Sequence, residues 1–316
     1  PDPNHRPASV STPRSHALYR ALSAASVPRV ARLVRAGGQV FCFHDVSSDD
    51  QAGHGDGSLH MAVSHFERVL EWMRDAYRVV PLSELVERGL AGRSVRGLAA
   101  LTFDDAYEGF FEHGLPALAR LELPATVFVV SEAGERPRPF WWDRLAEAGE
   151  LTDDERVRHL SEHRGAAGEI LPEPDEDARA AGPDLPASFL PATWERLESA
   201  LDGREMLSVG AHTATHPNLT RMDDAELERE LVGAREAIEG RLGVKVDTVS
   251  YPYGLHDERV RAVVRRAGYR AGFTLDRGWV GRGLDPMAIP RLNVPAGIGI
   301  EALECWAVGL RPGGGR

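Results

Sequence analysis

Short, uninterrupted apolar runs alternate along this chain with stretches of helical periodicity. Residues 39–43, 98–101, 125–130, 206–210, 246–250 and 269–275 are too short for helices and read as strands buried on both faces. A shorter strand is expected at 77–80 and a last one near 288–292. Between them, residues 64–76 put Phe66, Val69, Leu70 and Met73 on one helical face behind Ser64 as the expected cap. Further helices are predicted from Ser83, over 110–122 despite Pro116, from Asp223 or Asp224 to Arg241, over 257–267 and around 300–310. Strand and helix alternating this often predict a parallel sheet, either a barrel or a doubly wound fold.

Three stretches depart from that rhythm. Residues 1–15 are rich in Pro, Ser and Arg and are expected to be disordered. Residues 16–35 have helical spacing with Arg20, Arg29, Arg32 and Arg35 between the apolar positions and a break near Pro28. They read as a helix packed on the domain or as a basic amphipathic membrane contact. Residues 134–205 hold prolines, acids and short helical pieces (142–150, 193–201) without strand alternation, and read as one long insertion between barrel units. The expected organisation is an extension over 1–37, one domain over 38–310 containing the insertion 134–205, and a Gly-rich tail over 311–316.

Composition narrows the partners more than the fold. Over 316 residues the net charge is −11, which argues against nucleic acid or anionic membrane surfaces as partners and suits a neutral or cationic substrate. Cys42 and Cys305 are the only cysteines; a disulfide framework is excluded and a single bridge between them is not expected. No apolar run reaches the length of a transmembrane helix. The chain begins Pro-Asp-Pro, so a leader could precede it, and both a cytoplasmic and an exported bacterial location stay open. A monomer is expected.

The chemistry is concentrated in Leu101-Thr102-Phe103-Asp104-Asp105-Ala106-Tyr107. Two adjacent carboxylates at the C-terminal end of a buried strand are costly without a compensating cation. Either they cap a helix or end a solvated turn, or they serve a divalent metal, which needs further ligands. His212 and His216, in His-Thr-Ala-Thr-His after another strand, have spacing that lets them share one face of a turn. One Asp and two His make a three-ligand site with open positions, as a catalytic metal requires.

Thr102-Phe103-Asp104-Asp105 with Tyr107, then His212-Thr213-x-x-His216, then Tyr251-Pro252-Tyr253-Gly254 resemble, in order and separation, the first three motifs of the polysaccharide deacetylases, the family-four carbohydrate esterases with a NodB-homology domain. Residues 124–128, Pro-Ala-Thr-Val-Phe, resemble that family's next core strand, and the similarity spans about residues 38–295. The resemblance implies a distorted (β/α)7-type barrel, less regular than the eightfold form. It implies one divalent metal, most simply Zn²⁺, on Asp105, His212 and His216, with Asp104 as the base acting on water. Tyr253 falls where a backbone N–H holds the oxyanion, and its ring, with Tyr107, would line the groove. Trp141 and Trp142 at the start of the insertion serve either packing or sugar stacking.

Three positions depart from the family pattern. Its third motif usually carries an arginine where this chain has Ser250; Arg291, at a predicted strand end, is the nearest substitute or else a surface cation. The C-terminal Leu-x-His that supplies a general acid is absent, since no histidine follows His256. His44, ending the first strand, would reach the same space, because the first and last strands of a closed barrel are neighbours. Ala106 stands where Gly is common. The expected activity is metal-dependent removal of N-acetyl groups from an amino-sugar glycan or glycoconjugate. The rivals are hydrolysis of another small amide or ester, and an inactive carbohydrate-binding member.

Overall fold

The computed structural model describes residues 13–171, 185–203 and 205–311. The expected disorder of the first residues and of the tail falls largely outside them. In chain order the strands are β1 (Gln39–Phe43), β2 (Asp45–Ser47), β3 (His60–Ala62), β4 (Arg78–Val79), β5 (Leu98–Phe103), β6 (Ala125–Val129), β7 (Leu207–Ala211), β8 (Thr248–Ser250), β9 (Ala271–Phe273) and β10 (Leu292–Asn293). Seven of them run parallel in the order β10-β1-β5-β6-β7-β8-β9, with β4 beside β5. Ile289 pairs with Phe273 of β9 and Leu292 with Phe41 of β1, so one short segment spans both open edges and brings the sheet close to a closed barrel. The fold is the distorted (β/α) barrel the sequence implies.

Alternation along the strands sorts the side chains into an outer and an inner set. Phe41, Phe43, Leu101, Phe103, Val127 and Val129 face the helices and belong to the larger core with Phe66, Val69, Leu70 and Met73. Val40, Ala100, Phe128, Phe273 and Ile289 form a second apolar layer within the barrel. Burying a Phe or Leu there contributes about 1.5–3 kcal/mol each. Above that layer the next inward residues are polar: Cys42, Thr102 and Ser250, all buried. The apolar plug thus excludes water from below and leaves the C-terminal ends of the strands for chemistry.

Several boundaries differ from the sequence expectation for local reasons. The leading helix is two helices, Pro13–Ala24 and Val27–Val34, broken at Ser26 in the left-handed region (φ 58°). Pro28 lies in the first turn of the second, where its missing N–H costs nothing. Ser64 is not the cap of its helix; that position is Ala62, and the Ser64 N–H is bonded by the Asp49 carboxylate. Over 110–122, a π-type turn (Phe110–Gly114) precedes the α-helix Leu115–Arg120, putting Pro116 in a first turn. The polar stretch after β1 holds the parallel pair β2–β3, which has no apolar run to announce it. Between β6 and β7 the described residues form helices Trp141–Glu147, Asp153–Glu162, Ala167–Ile170 and Trp194–Leu201 and add no strand to the sheet. Cys42 and Cys305 are both free and buried.

Candidate active site

Asp104 and Asp105 leave the end of β5 in opposite directions because the chain turns left-handed there. Asp105 has φ 68° and Ala106 φ 53°. Thr213 (φ 66°), His216 (φ 62°) and Tyr253 (φ 59°) share this conformation, so five of the eight non-glycine residues with positive φ among the described residues belong to the three motifs of this site. Each costs about 1 kcal/mol or more, a strain characteristic of functional sites. The His212–His216 loop is shaped by Glu230, whose carboxylate accepts from the N–H groups of Ala214 and Thr215 (2.9 Å each) and from the Thr215 hydroxyl (2.7 Å). Sequence reading passed over Glu230; an acid on the same helical face as Leu227, Leu231 and Ala234 was its only signal.

Asp105, His212 and His216 come together. His216 Nε2 lies 3.3 Å and His212 Nε2 3.5 Å from Asp105 Oδ1, and the two ring nitrogens are 3.1 Å apart. The other His212 nitrogen, Nδ1, is 2.9 Å from the Ser250 carbonyl, which fixes the tautomer that turns the Nε2 lone pair inward. Burial lowers the pKa of both imidazoles, so they are neutral donors. Asp105 Oδ1 is buried without a hydrogen-bond donor, and its pKa is raised well above normal by burial and then by Asp104. Two neutral imidazoles and an orphaned carboxylate oxygen within 3.5 Å of one another fit a divalent cation.

Asp104 turns its carboxylate toward the polar layer of the barrel, with Oδ2 still 3.8 Å from His212 Nε2 and so beside the three donors. Arg291 donates from Nη1 to Oδ1 and from Nη2 to Oδ2, both at 2.7 Å. The Ser250 hydroxyl donates to Oδ2 at 3.1 Å and receives Arg291 Nη2 at 2.7 Å. Arg291 Nη1 also reaches Thr102 Oγ1 (3.1 Å), its Nε the Thr274 carbonyl (3.2 Å), and its guanidinium lies over Phe128. At 1% exposure Arg291 is no surface cation. It fills the place opposite the shorter Ser250, from the strand that bridges the barrel edges. Burial opposes ionisation of Asp104, but Arg291 and then His212 outweigh it and hold the carboxyl well below the usual range.

His44 follows β1 and sits on the same rim. A His44 nitrogen, Cys42 Sγ and an Asp104 oxygen all lie within 4.8 Å of one another. Burial, with Arg291 and His212 acting in the same direction and Asp104 against it, lowers its pKa to about 4. His44 is therefore a neutral imidazole beside the ion pair.

The remaining sequence candidates divide: Trp141 and Trp142 take the packing alternative, Tyr107 is buried away from the groove expected for it, and Tyr253 stays partly exposed. Trp141 and Trp142 are 1% and 3% exposed and offer no open face to a sugar. They start a helix that roofs the site: Trp142 packs on His216 (ring centroids 4.9 Å), and Trp141 Nε1 donates to Tyr253 Oη (3.0 Å). Tyr107 is buried as well; its hydroxyl donates to Asp143 Oδ2 (2.7 Å) and accepts from Trp142 Nε1 (2.8 Å). Tyr253 stands 4.6 Å from His216 ring to ring and is only half-buried, as is Phe140, stacked on Trp142 at 4.5 Å. Phe140, not either tryptophan, is the accessible aromatic ring of that motif. The roof is fastened by a buried network that sequence reading missed. His60 Nε2 lies 2.7 Å from Asp143 Oδ1, and its Nδ1 2.9 Å from Asp45 Oδ2.

The family model for polysaccharide deacetylases matches residues 92–272, more than half the chain and the whole run from Asp104 to Tyr253. The chain belongs to the polysaccharide deacetylase family. By family this deacetylase is a hydrolase acting on C–N bonds other than peptide bonds. It is 20% identical over 233 residues to the poly-β-1,6-N-acetyl-D-glucosamine N-deacetylase of Staphylococcus aureus, covering 73% of this chain and 66% of that one. Its fold matches IcaB from Ammonifex degensii (TM-score 0.60, 19% identity, 87% of this chain and 98% of that chain). It also matches the Streptococcus pyogenes deacetylase PplD in complex with acetate (TM-score 0.58, 15% identity, 84% and 96%).

Proposed function

We propose that this deacetylase removes N-acetyl groups from an amino-sugar glycan or glycoconjugate, with Asp105, His212 and His216 holding one divalent metal, Zn²⁺ by donor type. The observation that carries the reading is the buried, unpartnered Asp105 oxygen within 3.5 Å of both histidine Nε2 atoms. When bound, the metal supplies Lewis-acid polarisation of the acyl oxygen and a more acidic water.

The chain's own groups account for the proton traffic. Asp104, kept ionised and rigid by Arg291 and Ser250, orients the attacking water and takes its proton. His44, neutral near pH 7, is then able to receive a proton from the Asp104 side and pass it to the departing amine, which an amide needs. The Tyr253 peptide, in its left-handed turn, supplies the N–H for the oxyanion. Phe140 and Tyr253, both partly buried, form the aromatic rim against which the sugar rests.

The test is acetate release from chitin oligomers, peptidoglycan fragments and monomeric amino sugars, with metal measured on the same samples. Asp105→Ala and His212→Ala are expected to lose bound metal and acetate release together, whereas Asp104→Asn loses turnover and keeps metal. Equal metal loss in both aspartate variants contradicts the division of roles. Stoichiometric metal without acetate release from any amino sugar points to a different acyl substrate.

A further inference from the structure

The helix Val27–Val34 lies against the barrel with its apolar side outward. Val30, Leu33 and Val34 are 60%, 70% and 73% exposed, and Val27, at the start of the same helix, is 37% exposed. Scattered exposed apolar residues are ordinary, but four within one eight-residue helix are not. What holds the helix down is polar: Arg35 stacks on Trp279 (3.6 Å) and donates to the Val308 carbonyl, and Arg32 lies over Tyr77. Arg96 Nη1 caps the Leu33 carbonyl at 3.1 Å from the chain just before β5.

Charge is segregated here. Residues 3–44 contain six arginines and no carboxylate, in a chain whose net charge is −11. Arg20, Arg29 and Arg96 are exposed; Arg29 lies one turn from Leu33 on the same helix, Arg96 is bonded to the Leu33 carbonyl, and Arg20 is on the preceding helix. We propose that this helical pair docks on an anionic lipid bilayer, with Val27, Val30, Leu33 and Val34 in the interface and Arg20, Arg29 and Arg96 against the headgroups. The overall acidity is no obstacle, because the field near a surface is set by charges within a Debye length, about 8–10 Å at physiological salt. The acidic remainder orients the molecule. A second copy of this chain is the poorer occupant, since two-fold pairing sets the same arginines against each other. The helix precedes β1 and touches residues that lead into β5, at the N-terminal ends of the strands. Docking there turns the C-terminal rim, with His212 and Asp105, away from the bilayer.

The experiment is flotation of the full chain with phosphatidylcholine vesicles, with and without phosphatidylglycerol. The expected result is binding only where phosphatidylglycerol is present, weakening as salt is raised. The variant Val30→Ser/Leu33→Ser/Val34→Ser is expected to lose partitioning by roughly tenfold or more, as is Arg20→Glu/Arg29→Glu. Both keep the wild-type thermal midpoint, because none of these side chains packs in the core. A fluorophore on Leu33→Cys should blue-shift with phosphatidylglycerol vesicles alone. No binding to phosphatidylglycerol vesicles, equal binding to both vesicle types, or unchanged binding by the triple variant overturns the proposal. So does a concentration-dependent dimer that the triple variant abolishes without affecting flotation.

Discussion

His60 is the most informative residue to perturb, because its charge state is a prediction of the geometry. The imidazole is buried between Asp143 (2.7 Å) and Asp45 (2.9 Å). Burial by itself depresses its pKa and lifts that of Asp45, but the hydrogen bonds the ring donates to Asp143 and Asp45 prevail and raise His60 from 6.5 to about 9. A group whose pKa rises on folding contributes stability that is fully present below its unfolded value and is lost as pH climbs through the folded one. The window is therefore pH 6.5 to about 9. That difference corresponds to about 3 kcal/mol. It is an upper value, since Asp45 Oδ1 keeps no partner. Urea denaturation of wild type and His60→Gln, each with the same metal content, should show the wild-type advantage shrinking by about 2–3 kcal/mol across this window. The other shifted histidines, His44, His65, His159, His212 and His216, are all lowered, so their linkage acts below 6.5 and does not confuse the reading. A wild-type-to-variant difference that stays constant from pH 6.5 to 9 refutes the buried imidazolium.

Three further outcomes follow from the site. His44→Ala should slow N-deacetylation by roughly 10²–10⁴-fold while an activated aryl acetate, whose phenolate leaves unprotonated, is slowed far less; equal losses on both substrates remove His44 from the acid role. Arg291→Lys should cost about 3 kcal/mol or more in denaturation and most of kcat, because one ammonium cannot make both 2.7 Å bonds to Asp104 and also reach Thr102 and Ser250. Near-wild-type kcat in that variant would show that Asp104 does not depend on the bidentate pair. Ala106→Gly should raise stability by up to about 1 kcal/mol by relieving a left-handed alanine, readable as a higher thermal midpoint with kcat retained.

The chain by itself determined most strands of the main sheet and, through its motifs, the barrel class and the candidate metal ligands. Buried parallel strands are continuous apolar runs; Asp104-Asp105 and His212 directly follow two of them and His216 lies in the loop just beyond, so position along the chain already places them on the rim. The Asp223 cap was legible as one of two adjacent candidates, because a cap and the N–H it accepts from lie within one turn of each other. Tertiary structure decided whatever depends on residues distant in sequence. Arg291 reaches Asp104 across 187 positions because the last strand closes the barrel edge, and no spacing rule separates that from a surface cation. The fate of Trp141, Trp142 and Tyr107 was settled by burial, since a hydrophobic aromatic reads alike in a roof and in a groove until its neighbours are known. The His60 clamp was silent because Asp45, His60 and Asp143 acquire meaning only when a parallel pair and an inserted helix bring them within 3 Å. Sequence records local periodicity and adjacency; charge pairing and desolvation are properties of distance, and distance between remote residues exists only in the fold.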